Sequence, residues 1–440
     1  MNLPSLPTRP FQVIVLGIFV FLALVGLFLF ANFSGFGNTA AKVGAVTIWG
    51  ILPSSAMDAE LGALKQSHKE YANVNYVQKQ ESNFDAALAD AIASGAGPDM
   101  VLISQEQLLA ERNKLSVIPF STIPQRTYLD TFVPITELFL TDQGTYGIPL
   151  VVDPLVLYYN RTMVASAGVA DPANTLATWE GITGIVPRLT QKTGGQIYKS
   201  GIALGGYGNM PAARSIISLV LFQSGSPITT LSNGTVRSAL TQSSNTSTTG
   251  TTPAESALNF YTQFADPAKT VYSWNGSLPE ARQVFIAGDL ALYVGFASEA
   301  PFLKASNPNL DFDMTHVPQP ATSQSRITYG KAYALAIPKA SRNASGALSV
   351  ARTLAGKDQD GQMARILSMA PAARALLTPA ADDRFQAIYY PDALVAKGWL
   401  SPLPTATDTI FTAMIGNISS GRTNVRDALE KANQALDASL

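Results

Sequence analysis

The sequence predicts an α/β fold in two lobes, preceded by one N-terminal transmembrane helix. Three observations carry this. The chain has 440 residues, more than one hydrophobic core usually organises. An uncharged apolar run, "FQVIVLGIFVFLALVGLFLFAN", extends from Phe11 to Asn32. After it, strand-like and helix-like stretches alternate, the pattern of a parallel sheet covered by helices.

The apolar run comes first in the chain. About 20 helical residues span roughly 30 Å, the thickness of a bilayer core. A cleaved signal peptide would have a shorter apolar core and an A-x-A-like site, and "NTA" before Ala41 is a poor one. An uncleaved anchor over 11–32 with a linker over 33–42 is the preferred reading. Arg9 is the only charged side chain ahead of the span, which orients the N-terminus to the cytoplasm and the remaining chain outside.

The ectodomain then reads element by element. "AVTIWG" (45–50) is a short buried strand stopped by Gly50. "SAMDAELGALKQSHKEYA" has helical spacing at Met57, Leu61, Leu64 and Tyr71. "NVNYVQKQ" (73–80) alternates as a second strand. Ser82 and Asp85 resemble a capping box opening a helix with Phe84, Leu88, Ala91 and Ile92 on its apolar face, and Gly95 suits its end. "PDMVLIS" is the third strand. Ligands of such sheets bind beyond the carboxyl ends of the strands, which directs attention to Trp49 and to the segment Ser104, Gln105, Glu106, Gln107. Trp49 could equally be a core residue, and Glu106 an acid at a helix start.

Composition excludes several functions. Lys and Arg number 30 against 31 Asp and Glu, so no excess charge draws the chain to nucleic acid or anionic lipid. Cysteine is absent, which removes disulfides, thiolate metal sites and cysteine nucleophiles. The only histidines, His68 and His316, lie outside any metal-ligand spacing. No metal or cofactor is expected. The G-x-S-x-G elbow and the G-x-x-x-x-G-K-[ST] phosphate loop are both missing.

One acid stands out. In "YGIPLVVDPLVLYYN" (146–160), Asp153 interrupts apolar sequence. "GIPLVV" reads as a strand leaving one sheet and "LVLYYN" as a strand opening another, with Pro154 between them. A carboxylate there cannot be buried alone, so it is expected to face water or a polar ligand.

These residues bring a resemblance into view. The chain resembles the extracellular sugar-binding proteins of ABC importers, the group that includes maltodextrin-binding proteins. It does so through "VTIW" (46–49), "NFDAALADAIASGAGPDMVLIS" (83–104), "TYGIPLVVDPLVLYYN" (145–160), "AGVADPANTLATWEGI" (167–182), "ARQVFIAGDLALYVGFASE" (281–299), "AYALAIPKAS" (332–341) and a helical tail with "NVRDALEKANQAL". The resemblance implies the periplasmic-binding-protein-like (type II) fold with crossing hinge strands and an interlobe cleft that closes on a sugar. It implies a first lobe over 43–152 plus about 300–338 and a second over 156–297 plus about 342–440. It also implies a monomer that delivers its solute to ABC permease subunits. Glu106 and Asp153 fall where the family places ligand-binding carboxylates, and Phe296 lies in the segment Gly295 to Glu299 where an aromatic stacks on sugar. Gln107 replaces a basic residue and Ser298 a frequent tryptophan of the maltodextrin binders, which argues against a long glucan.

Sugar chemistry asks for amide and charged groups toward hydroxyls and aromatic surfaces toward C–H faces. The candidate set is therefore Trp49, Glu106, Gln107, Asp153, Tyr207, Trp274, Asn275, Phe296, Ser298 and Glu299. Trp179 reads as packing at a helix start, "MAPAARALL" (369–377) as a structural turn, and the Ser/Thr-rich stretch 240–256 as a flexible surface loop. Two alternatives to a binding receptor are a membrane-anchored glycan hydrolase, with a carboxylate pair drawn from Glu106, Asp153 and Glu299, and a sensory ectodomain.

Overall fold

The computed structural model describes residues 43–232, 234–242 and 250–440. The expected anchor at 11–32, the linker to residue 42 and positions 243–249 of the Ser/Thr-rich stretch lie outside the described residues. Among the described residues no helix is long and apolar enough to cross a membrane.

The first unit follows the sequence closely. Strand β1 (Val46–Gly50), helix α1 (Ser54–Ser67), strand β2 (Val74–Gln78), helix α2 (Phe84–Ala93) and strand β3 (Met100–Ser104) succeed one another. β1 lies between β2 and β3, parallel to both. Met57, Leu61 and Leu64 are buried as their spacing requires, but α1 ends at Ser67 because His68 is extended, and Tyr71 is buried from a separate short turn. The expected capping box does not form. A 3-10 turn over Glu81–Asn83 takes Ser82 out of the cap position, and Asp85 instead accepts from Lys114 Nζ at 2.5 Å. Gly95 ends the helix with φ +70°, a conformation open to glycine at little cost.

The two strands expected around Asp153 are one. β4 (Gly147–Asn160) runs unbroken for 14 residues and is buried everywhere except at half-buried Tyr159. Three later strands, β7 (Leu290–Phe296), β8 (Phe312–His316) and β9 (Thr328–Ala336), pair with it. From Gly147 to Pro154 it lies antiparallel to β9; from Leu155 onward it lies between β7 and β8. Pro154, which has no N–H to give a ladder, sits at the changeover. With β5 (Gln191–Thr193) and β6 (Gln196–Ile202), the sheet path is β2-β1-β3-β9-β4-β7-β6-β5. β4 is thus the shared strand between a sheet built on β1 to β3 and one built on β5 to β8.

β8 pairs with the second half of β4. Helices α6 (Ala344–Leu354) and α7 (Lys357–Leu367) lie beside the first sheet. α7 packs on α1, Asn343 Nδ2 donates to Val43 O at 2.7 Å, and the "MAPAARALL" turn adds Ala370–Pro371 to β4 as a short strand. The last helices, α8 (Pro404–Ser419) and α9 (Val425–Ser439), pack against each other and on Pro253–Thr262, a helix opened by a capping box between Thr252 and Glu255. Trp179 packs as expected, 5% exposed and edge-to-face on Phe260. Trp399 is buried, donating to Ser218 Oγ at 3.0 Å.

Candidate functional site

The carboxyl ends of β1, β2 and β3 deliver Trp49 to Leu52, Gln78 to Glu81 and Ser104 to Gln107 to one side of the β4–β9 crossing. A pocket of about 620 Å³ opens there, lined by Ile51, Leu52, Gln78, Lys79, Gln80, Glu81 and Tyr333. From the second sheet, the end of β7 brings Phe296, Ser298 and Glu299 toward the crossing. Residue Arg214, on helix Ala213–Gln223, reaches the end of β3.

Glu106 is at the centre of the charges. It is 1% exposed, and its carboxylate takes the Arg214 guanidinium at 2.7 Å, the Lys331 ammonium at 3.4 Å and the Tyr329 hydroxyl. Burial opposes its charge, but Arg214 and Lys331, with the Tyr329 hydroxyl, hold the carboxyl down at about 2. Burial likewise opposes the Lys331 charge, which Glu106 and Glu81 more than restore. Arg214 also pairs with Asp408 at 2.9 Å and donates to Pro404 O at 3.1 Å, while Asp408 accepts from Tyr207 at 2.6 Å. Glu106 is therefore occupied by protein cations and Tyr207 by an acid, where free acceptors and an aromatic face were expected.

Asp153 is 3% exposed, faces Lys331 in the β4–β9 register, and accepts from Ser298 N at 3.1 Å and Ser298 Oγ at 2.6 Å. Its partner is the protein, contrary to the expectation of water or ligand, and Ser298 is what makes its burial tolerable. Burial still outweighs those bonds and pushes the carboxyl up to about 7. Glu299 turns inward to accept from Tyr293 Oη at 2.8 Å and Phe296 N at 2.9 Å. This explains Gly295: a Cβ there would stand 2.8 Å from Glu299 Oε1 and 2.6 Å from the Tyr293 ring. Phe296 is half-buried, with the Lys331 ammonium 5.2 Å from its ring centre.

The other candidates divide. Trp49 is half-buried at the end of β1, and Lys79 lies over its ring at 3.6 Å. Gln107 is buried and folds back to accept from Ser104 N at 3.1 Å. Trp274 is fully buried with its Nε1 on Asn209, and Asn275 bonds Tyr272, so both serve local packing. The reading of single residues missed Lys331, Arg214, Lys79 and Glu81. Gln105 stitches β3 to β9 by donating to Gly330 O and accepting from Ala332 N. Lys331 carried a signal: it is a lone charge in "TYGKAYALA", the same anomaly that marked Asp153.

A second cavity of about 640 Å³ lies elsewhere, lined in part by Trp179, Val220, Gln223, Phe260 and Val271. Its central amide is spent internally, since Gln223 accepts from Trp179 Nε1 at 2.7 Å and donates to Pro318 O at 2.8 Å. His316 contacts Asp392 at 3.0 Å, and no group of metal-ligating side chains forms among the described residues.

A family model described as bacterial extracellular solute-binding protein matches residues 63–387. A search of curated proteins finds no match. Among solved structures, the cyclic alpha-maltosyl-1,6-maltose binding protein from Arthrobacter globiformis is similar with a TM-score of 0.70 and 19% identity, over 90% of this chain and 98% of that one. An ABC transporter solute binding protein from Thermotoga lettingae bound with alpha-D-tagatose gives 0.67 and 17%, over 90% and 99%. The maltotriose binding protein of Thermus thermophilus bound with maltotriose gives 0.66 and 15%, over 89% and 99%. At these identities the likeness is one of fold, and it is the two-lobed α/β solute-binding fold.

Proposed function

The chain belongs to the bacterial extracellular solute-binding protein family, and from that premise we propose that it captures a carbohydrate in the cleft beside the β4–β9 crossing and delivers it to an ABC-type importer. One observation carries the reading: the strand ends of the first sheet and the Phe296 segment of the second converge on the same crossing, next to a pocket of about 620 Å³. Gln78, Gln80, Lys79 and Glu81 offer the donors and acceptors that sugar hydroxyls require, and Tyr333 and Trp49 offer ring surface. The names of the similar structures support a sugar over a peptide.

In this mechanism the first lobe comprises β1 to β3, the first half of β4, most of β9 and the helices α1, α2, α6 and α7. The second lobe comprises β5 to β8, the rest of β4 and the helices α8 and α9. The solute enters between them, and closure follows only because contacts to both lobes exist solely in the closed form. Family membership supports an extracytoplasmic position, and the Phe11 to Asn32 run would tether the receptor to the membrane, raising its effective concentration near the permease. Hydrolysis is the weaker reading. Glycosidases need two carboxyl groups that reach the substrate, whereas Glu106, Asp153 and Glu299 already bond Arg214, Ser298 and Tyr293.

A thermal-shift screen of residues 43–440 against maltotriose, mannobiose, tagatose and peptide controls tests this. A sugar at about a hundred times its dissociation constant adds roughly 2.7 kcal/mol of stability. Shifts by peptides alone would remove the carbohydrate assignment.

A further inference from the structure

We propose that Arg214 is a positioning residue that latches the two lobes together before any ligand arrives. The inference rests on the two-lobe reading above. Glu106 follows β3 of the first sheet, whereas Arg214, Asp408 and Pro404 come from helices of the other lobe. A single guanidinium spans the gap, with Nη2 on Glu106 at 2.7 Å and Nη1 on Asp408 at 2.9 Å and on Pro404 O at 3.1 Å. Tyr207 holds Asp408 in place from the same lobe at 2.6 Å.

The remaining partners of Glu106 behave differently. Lys331 sits on β9 just before its pairing with β3, so it stays with Glu106 whether the lobes are together or apart, whereas Tyr329, nearer the start of β9, stacks on Phe222 of the Arg214 helix. Opening therefore strips Glu106 of Arg214 and leaves it Lys331. The Arg214 side chain is 11% exposed and that of Glu106 is 1% exposed, so separating them before water can reach both is unfavourable. The planar fork matters, because only a guanidinium can reach two lobes with paired donors, and an ammonium is a single point of charge. The latch gives the ligand-free receptor a bias toward closure, which lowers the part of the closing free energy that the ligand must supply.

The absence of cysteine makes the test clean. Asp90→Cys and Glu430→Cys place spin labels at exposed positions on α2 and α9, and pulsed electron-spin distance measurements are made on the full chain in lipid nanodiscs without ligand. Arg214→Met is expected to shift the main distance to longer values. Arg214→Lys should restore part of the short population. Asp408→Asn, which removes the half-exposed outer anchor, should give a smaller shift in the same direction. If Arg214→Met does not fold, the Asp408→Asn distribution decides. A folded variant of either kind with the wild-type distribution overturns the proposal and makes the ion pair static packing. Since this reads ligand-free protein, it is separate from the sugar screen: the latch can fail while sugars still stabilise the chain, and the reverse.

Discussion

Glu106→Gln is expected to lower the unfolding free energy by about 3 kcal/mol, the low end of the range for breaking one side of a buried ion pair. Gln keeps the volume and can still accept from Tyr329, but it leaves two cations facing a neutral amide. Arg214 retains Asp408, and among the described residues Lys331 keeps only Glu81 as an ion-pair partner, at 3.8 Å. The cost is therefore the weakened compensation of Lys331 and Arg214 and not a lost packing contact. Urea unfolding of wild type and variant at neutral pH measures it. A loss below about 1 kcal/mol, the size of an exposed pair, would show that water reaches the cluster and that Glu106 is not buried in solution.

Asp153→Asn should change stability in a manner that depends on pH. In the folded chain burial moves this carboxyl from 3.8 to about 7. The fold therefore favours the neutral acid. The stability this contributes is fully present below about pH 4 and is lost as pH rises through 7, by an amount on the order of 4 kcal/mol when complete. Glu60 and Glu111, raised by burial to about 7, and Asp360, raised to about 8, act in the same direction, so wild-type melting should fall between pH 5 and pH 8. Glu106, held at about 2, acts oppositely but only at more acidic pH. Asparagine cannot ionise. Near pH 5 the variant should melt at or below wild type, because one acceptor toward Ser298 becomes a donor; by pH 8 it should melt above it. Parallel wild-type and variant curves across this range would mean that Asp153 stays solvated.

Much of the first lobe was legible because local rules governed it. β1, α1, β2, α2 and β3 announce themselves by period and by Gly95, and their strand ends lie beside the β4–β9 crossing. Asp153 was legible too, as a charge in apolar sequence. What remained hidden depends on distant partners. Nothing near Asp153 says that "GIPLVV" and "LVLYYN" form a single strand that changes neighbours at Pro154, since that depends on β7, β8 and β9, more than 100 residues away. The satisfaction of Asp153 by Ser298 and of Glu106 by Arg214 spans 145 and 108 residues. The Ser82–Asp85 cap failed for the same kind of reason, with Lys114 claiming Asp85. Trp274 and Tyr207 carried the right chemistry for a sugar but were drawn into packing and into the Asp408 contact. An aromatic residue's type does not say which face it turns to a core.

The claim that one ligand engages both lobes at the β4–β9 crossing is tested most directly by hydrogen–deuterium exchange with and without the sugar that gives the largest thermal shift. The account predicts that amide protection rises together at 51–52, 78–81 and 296–299 and stays unchanged around Trp179, Gln223 and Phe260. Protection confined to that second cavity, or to one lobe alone, would contradict it.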